Sequence, residues 1–85
     1  MKIRFKPSFI RDFKKLPLEL QEEAKERITL FKDTKNHERL KVHKLKGKLK
    51  DFQSFSVTYS HRIVFNYESN DVVVFIAIGT HDIYK

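Results

Sequence analysis

The chain has 85 residues, enough for a single domain spanning 1–85. Apolar residues at 40% and charged residues at 34% give a globular rather than a disordered balance. Cysteine is absent, which excludes disulfides, thiolate-bound metal and thiol catalysis, and two glycines are too few for a phosphate-cradling loop. The net charge of +7 is uneven: residues 1–50 hold 16 Lys and Arg against 7 Asp and Glu, whereas residues 51–85 hold 2 against 4, so the first half is the one that attracts anions.

Ile3 and Phe5 alternate with Lys2, Arg4 and Lys6, the period of a strand with one buried face. Pro7 ends that strand, and Ser8 is placed to cap a short helix in which Phe9, Phe13 and Leu16 recur at helical spacing. Pro17 closes this helix and can open the next, expected from Leu18 to about Lys32 with Leu20, Ala24, Ile28 and Phe31 as its apolar stripe. Glu19, Glu22 and Glu23 near its start and Lys32 and Lys35 near its end complement the helix dipole, and Glu23 and Arg27 form a favourable i, i+4 pair. The two helices make an αα-hairpin.

Residues 33–51 are polar and basic, with a short helical turn expected near 36–41 and then a loop in which Gly47 permits a sharp bend. From Phe52 the period changes to two. Phe55, Val57 and Tyr59 alternate with Ser54, Ser56 and Thr58. Arg62 to Tyr67 is a second strand after a turn at Ser60-His61, and Val72 to Ile78 is a third, apolar throughout and hence interior. The expected order is βααβββ, an α+β fold with two helices packed on a four-stranded, mainly antiparallel sheet. The longest apolar run, Val72 to Ile78, is too short to cross a membrane, and Lys2, Arg4 and Lys6 interrupt any signal-peptide pattern, so a cytoplasmic protein with no membrane partner is expected.

The densest charge lies at Arg39, Lys41, Lys44, Lys46, Lys48 and Lys50, six cations in twelve residues without an acid. Such a run attracts a polyanion through counterion release, although a solvated loop or an acidic protein partner would account for the same charge. Hairpin tips near 60–61 and 69–70 would pair Tyr59 roughly with Arg62, and Arg62 roughly with Ala77. His81 then falls at the same sheet end as His61 and Arg62, with Asp82 and Tyr84 directly after it. The basic loop carrying His43 and Lys46 precedes these strands and can fold over that end.

Imidazole, guanidinium, ammonium and phenol groups at one site suit RNA cleavage by the 2′-hydroxyl. Histidine titrates near neutrality and can act as base or acid, while Arg62 and Lys46 would offset charge on the phosphorane. Tyr84 could stack on a base or join proton transfer. The catalytic candidates are therefore His43, His61, Arg62, His81 and Tyr84, and the RNA-binding candidates are Lys44, Lys46, Lys48 and Lys50. Each has a plainer reading: His43 as a loop residue bonded to backbone, His61 as an ordinary turn residue, Arg62 paired with Asp82, and His81 and Tyr84 as a fraying terminus. His37 is read as surface. No metal or other cofactor is expected, because no two histidines have close helical spacing and cysteine is absent.

The runs His43-Lys-Leu-Lys-Gly47, Ser60-His61-Arg62-Ile63-Val64-Phe65 and Ile78-Gly79-Thr80-His81-Asp82-Ile83-Tyr84, with the opening strand and the helix Phe9 to Leu16, resemble the RelE/ParE superfamily of toxins from type II toxin–antitoxin modules. The likeness covers essentially the whole chain and is nearest to the YafQ and RelE branches. It implies a metal-independent mRNA endoribonuclease acting in the ribosomal A site, where 16S rRNA helps hold the codon, and a cognate antitoxin that neutralises it. On the family pattern His43 is the loop histidine and His81 the terminal one. Arg62 is the strand-leading arginine of the RelE and YoeB branches. His61 stands where the YafQ branch has an acid, and Tyr84 matches the late aromatic one residue early. Two other readings share the fold: a ParE-like inhibitor of DNA gyrase, and an inert interaction module.

Overall fold

The computed structural model describes residues 1–84; Lys85 and the side chains of His81 and Tyr84 lie outside the described residues. Strand β1 (Lys2–Phe5) leads into helices α1 (Pro7–Lys14) and α2 (Leu18–Phe31). After them come β2 (His43–Lys44), β3 (Gln53–Ser56), β4 (Arg62–Tyr67) and β5 (Val72–Gly79), and the chain ends in a 3-10 turn at His81–Tyr84. The sheet order is β1-β5-β4-β3-β2, antiparallel except where β1 lies parallel to β5. The α+β architecture with two helices on a mainly antiparallel sheet is as expected. The sheet has a fifth strand, because His43 and Lys44 pair with Ser54 and Gln53 in what periodicity alone assigns to a loop.

The helices bury one face of the sheet. Phe31 of α2 is wholly buried and packs on Phe55, Phe65 and Phe75, with ring centroids 4.6, 4.9 and 5.6 Å away. Phe9 of α1 meets Phe75 at 5.5 Å, and Ala24 lets α2 approach closely. His37 is part of this assembly rather than surface. Its ring stacks on Phe31 at 4.5 Å, and its Nε2 lies 2.8 Å from the Phe31 carbonyl, which can only accept, so Nε2 carries the proton. Pro7 begins α1 instead of merely ending β1, since its missing N–H is one that a helix leaves unpaired anyway, and Lys6 holds the cap position. Ser8 lies inside the helix, where its hydroxyl donates to the Ile76 carbonyl at 2.6 Å and ties α1 to β5. Pro17 occupies the cap position of α2, one residue before its expected place.

Both hairpins differ from the expected register. Thr58 Oγ1 accepts from the backbone N–H of Ser60 and His61, and the Val57 N–H donates to the His61 carbonyl at 2.9 Å, so the β3–β4 tip is Tyr59 and Arg62 lies opposite Ser56. The β4–β5 turn closes one residue later than expected, with the Glu68 N–H donating to the Val72 carbonyl, and a bulge between Val64 and Phe65 adds one more, so Arg62 lies opposite Gly79 rather than Ala77. Among the described residues no helix is long and apolar enough to cross a membrane.

Candidate functional site

Side chains of residues directly opposite in a sheet share a face. Phe55, Ile63 and Ile78 are paired in register and wholly or almost wholly buried under the helices. The other face therefore carries Ser56, Arg62 and Gly79 in one row, and His43, Ser54, Val64 and Ala77 in the next. Ser54 is the one buried polar residue among those described.

Arg62 opens β4 and is half-buried, and its guanidinium donates to Ser56 Oγ at 3.4 Å. It lines a hollow of about 670 Å³ at the sheet end. Arg27 from α2, Arg39, Lys41, Tyr59, Thr80 and Asp82 share that lining, so four cations stand against one carboxylate. The C-terminal turn is seated here: Ile83 N–H donates to the Thr80 carbonyl at 3.1 Å, and a Cβ at Gly79 would come within 2.7 Å of Ile83 Cγ2. The backbone at His81 thus begins two residues beyond the partner of Arg62.

The other candidates are distributed around this point. His43 is exposed on the face that carries Arg62, two strands and two residues away, about 12 Å between α-carbons from strand spacing and rise. Its Nδ1 lies 2.8 Å from the Lys41 carbonyl, which makes Nδ1 the donor and leaves Nε2 outward. His61 does not line the hollow. Its Nδ1 sits 3.1 Å from Ser60 Oγ and 3.3 Å from Thr58 Oγ1, within the hairpin tip. Lys44, Lys46, Lys48 and Lys50 are exposed around a 3-10 turn at Gly47–Leu49, outside the hollow, with Leu45 and Leu49 half-buried between them. Gly47 has φ +69, a left-handed conformation that suits glycine. The roles of His81 and Tyr84 rest on side chains outside the described residues.

Arg27 and Tyr59 are site residues that the pattern gives no reason to select. Arg27 is accounted for by Glu23, which it meets at 2.8 Å as the spacing predicts, and Tyr59 fits the alternation of a strand. Arg39 and Lys41 belong to the basic run, and only the fold separates them from its other lysines. Leu40 between them is 2% exposed and plugs into the core. Its carbonyl accepts from the Ser56 N–H at 3.0 Å, and Lys41 turns through φ 61, a left-handed conformation rare for a side chain of this size.

A family model described as the ParE toxin of the type II toxin–antitoxin system parDE matches residues 3–83. No curated protein matches the chain. Among solved structures, a copper-bound mutant toxin from Helicobacter pylori is 25% identical, with a TM-score of 0.76 over 100% of this chain and 99% of that one. YafQ from E. coli is 18% identical, with a TM-score of 0.76 over 98% and 96% of the two chains. The YoeB–YefM complex from Staphylococcus aureus is similar at 20% identity, with a TM-score of 0.75 over 95% and 97%, and that pair forms a heterotetrameric toxin–antitoxin complex. The last two likenesses concern the fold.

Proposed function

Because the chain belongs to the ParE toxin family of type II toxin–antitoxin systems, within the RelE/ParE superfamily, we propose that it is an mRNA interferase that cuts translated message on the ribosome. The observation that carries this reading is the placement of Arg62: half-buried, opposite Gly79, in a hollow with three further cations and one acid. Fixed positive charge in a partly dehydrated hollow is what a phosphorane needs, and it requires no reorganisation during the reaction.

In the proposed reaction the 2′-oxygen attacks the adjacent phosphorus while the bond to the 5′-oxygen breaks. The products are a 2′,3′-cyclic phosphate and a free 5′-hydroxyl. One histidine takes the 2′-hydroxyl proton and another protonates the leaving oxygen; His43, with Nε2 outward, and His81 are the pair assigned. His61 has its Nδ1 beside hydroxyls of its own hairpin and is assigned to shaping the Tyr59 tip. Lys44, Lys46, Lys48 and Lys50 would hold the flanking backbone, and Tyr84 would stack on or protonate the substrate. Sites this dispersed cut only RNA that is already held in line, which is the part assigned to the ribosome and its 16S rRNA in the A site. A cognate antitoxin is the expected protein partner, as YefM is for YoeB, and an acidic segment that orders on binding would match the basic first half of the chain.

The name of the matching family supports a second reading, inhibition of DNA gyrase. Expression without antitoxin separates the two. The interferase reading expects growth arrest with transcripts cut inside codons, mapped by primer extension, and loss of cutting in Arg62→Ala. Arrest with intact transcripts and blocked replication would replace it with the gyrase reading, and a harmless wild type would support an inert module.

A further inference from the structure

Tyr59 stands at the tip of the β3–β4 hairpin and is 101% exposed, whereas Phe31, Phe55, Phe65 and Phe75 are wholly buried. The tip is a built turn. Thr58 Oγ1 accepts two backbone N–H groups, and the His61 carbonyl accepts two more, from Val57 and Thr58. The ring is thus held out into water, on the edge of the hollow that contains Arg62. In the same lining, Leu40 anchors Arg39 and Lys41, and the left-handed turn at Lys41 is held by bonds on both sides: Leu40 carbonyl to Ser56 N–H, and Lys41 carbonyl to His43 Nδ1. Backbone strain kept in place by its surroundings tends to mark a working site.

An exposed ring beside fixed cations is the pattern that recognises single-stranded nucleic acid, with the base on the ring and the phosphates on the charges. About 670 Å³ is also more room than a lone phosphate needs, and it suits a nucleotide. We infer that Tyr59 stacks on the nucleobase next to the phosphate held at Arg62, with Arg39 and Lys41 gripping the neighbouring phosphate, so that the hairpin tip contributes to where the message is cut. This inference rests on the interferase reading and adds a substrate contact to it.

The test uses the purified full-length protein and ribosomes programmed with a defined mRNA. Cleavage is compared for wild type, Tyr59→Ala and Tyr59→Phe, on the intact message and on one lacking the base beside the cut. Tyr59→Ala is expected to raise KM about tenfold or more with kcat little changed, and Tyr59→Phe to restore it. Removing the base should weaken the wild type by a similar factor and have little further effect on Tyr59→Ala, because the two changes delete one contact. Melting temperatures of all three proteins should agree, since Tyr59 supports nothing in the core. If the wild type cuts and Tyr59→Ala matches it, this inference falls while the interferase reading stands. If the wild type cuts nothing, both fall. If Tyr59→Ala cuts normally but escapes an antitoxin that restrains the wild type, the ring serves a protein partner and the inference is overturned.

Discussion

Replacing Gly79 by alanine tests whether the C-terminal turn is seated on the sheet end. A Cβ there would lie 2.7 Å from Ile83 Cγ2, roughly an ångström inside ordinary carbon contact. Gly79 does not lie in the left-handed region, so alanine meets no backbone penalty and the overlap is the whole effect. Two outcomes relieve it. If Ile83 stays, overpacking costs about 1–3 kcal/mol, and each kcal/mol lowers Tm by about 4–8 °C in a domain of this size. If instead the turn His81–Tyr84 lifts, stability changes little, but His81 moves away from the row of Arg62, and a misplacement of about 1 Å costs about 10²-fold in rate. The Ile83 N–H bond to the Thr80 carbonyl lies within the turn and would move with it, so this bond does not oppose lifting. The expected result for Gly79→Ala is a Tm drop under about 8 °C with cleavage down about a hundredfold. Gly79→Ala with Ile83→Ala should recover part of the activity. Thermal melting and cleavage of ribosome-bound mRNA read the two effects separately. Wild-type Tm and wild-type cleavage together in Gly79→Ala would refute the seating of the turn.

Phe31→Ala should cost about 3–5 kcal/mol, most of what a chain of this length has, because its ring meets Phe55, Phe65, Phe75 and His37; urea melts would show a largely unfolded protein at 37 °C. Arg62→Ala should lower the cleavage rate about 10²- to 10³-fold with little change in Tm, and Arg62→Lys should recover only part, lacking the planar fork. Lys41→Gly relieves a left-handed lysine worth about 1 kcal/mol, partly offset by glycine's freedom in the unfolded chain, so Tm should hold or rise slightly while RNA affinity and its salt dependence fall.

What the sequence made legible was local periodicity. The stripe containing Ala24 and Phe31, the Glu23–Arg27 pair and the apolar run of β5 are all set by residues a few positions apart, and all stand as expected. What it hid depended on partners distant in the chain or on a single hydrogen bond. His43 and Lys44 are a strand only because Ser54 and Gln53 lie beside them. One hydroxyl, Thr58 Oγ1, moves a hairpin tip to Tyr59 and turns a strand residue into an exposed one. The bulge at Val64/Phe65 brings Gly79 opposite Arg62, which no alternation of apolar residues could indicate. His37 gave no sign of its stack on Phe31, because the five intervening positions and the 3-10 turn within them set the geometry. The family resemblance supplied what periodicity could not, namely the order of the motifs. It did not separate Arg39 and Lys41, which reach the hollow, from Lys44, Lys46, Lys48 and Lys50, which do not.

The most direct test of the proposed chemistry is cleavage of a ribosome-bound message in which the nucleotide before the cut lacks its 2′-hydroxyl. Attack by that hydroxyl predicts that the single deoxy substitution abolishes cutting at that bond, and that the unsubstituted message yields a 2′,3′-cyclic phosphate and a 5′-hydroxyl. Undiminished cutting at the deoxy position, or an uncut message alongside inhibited gyrase supercoiling, would contradict it.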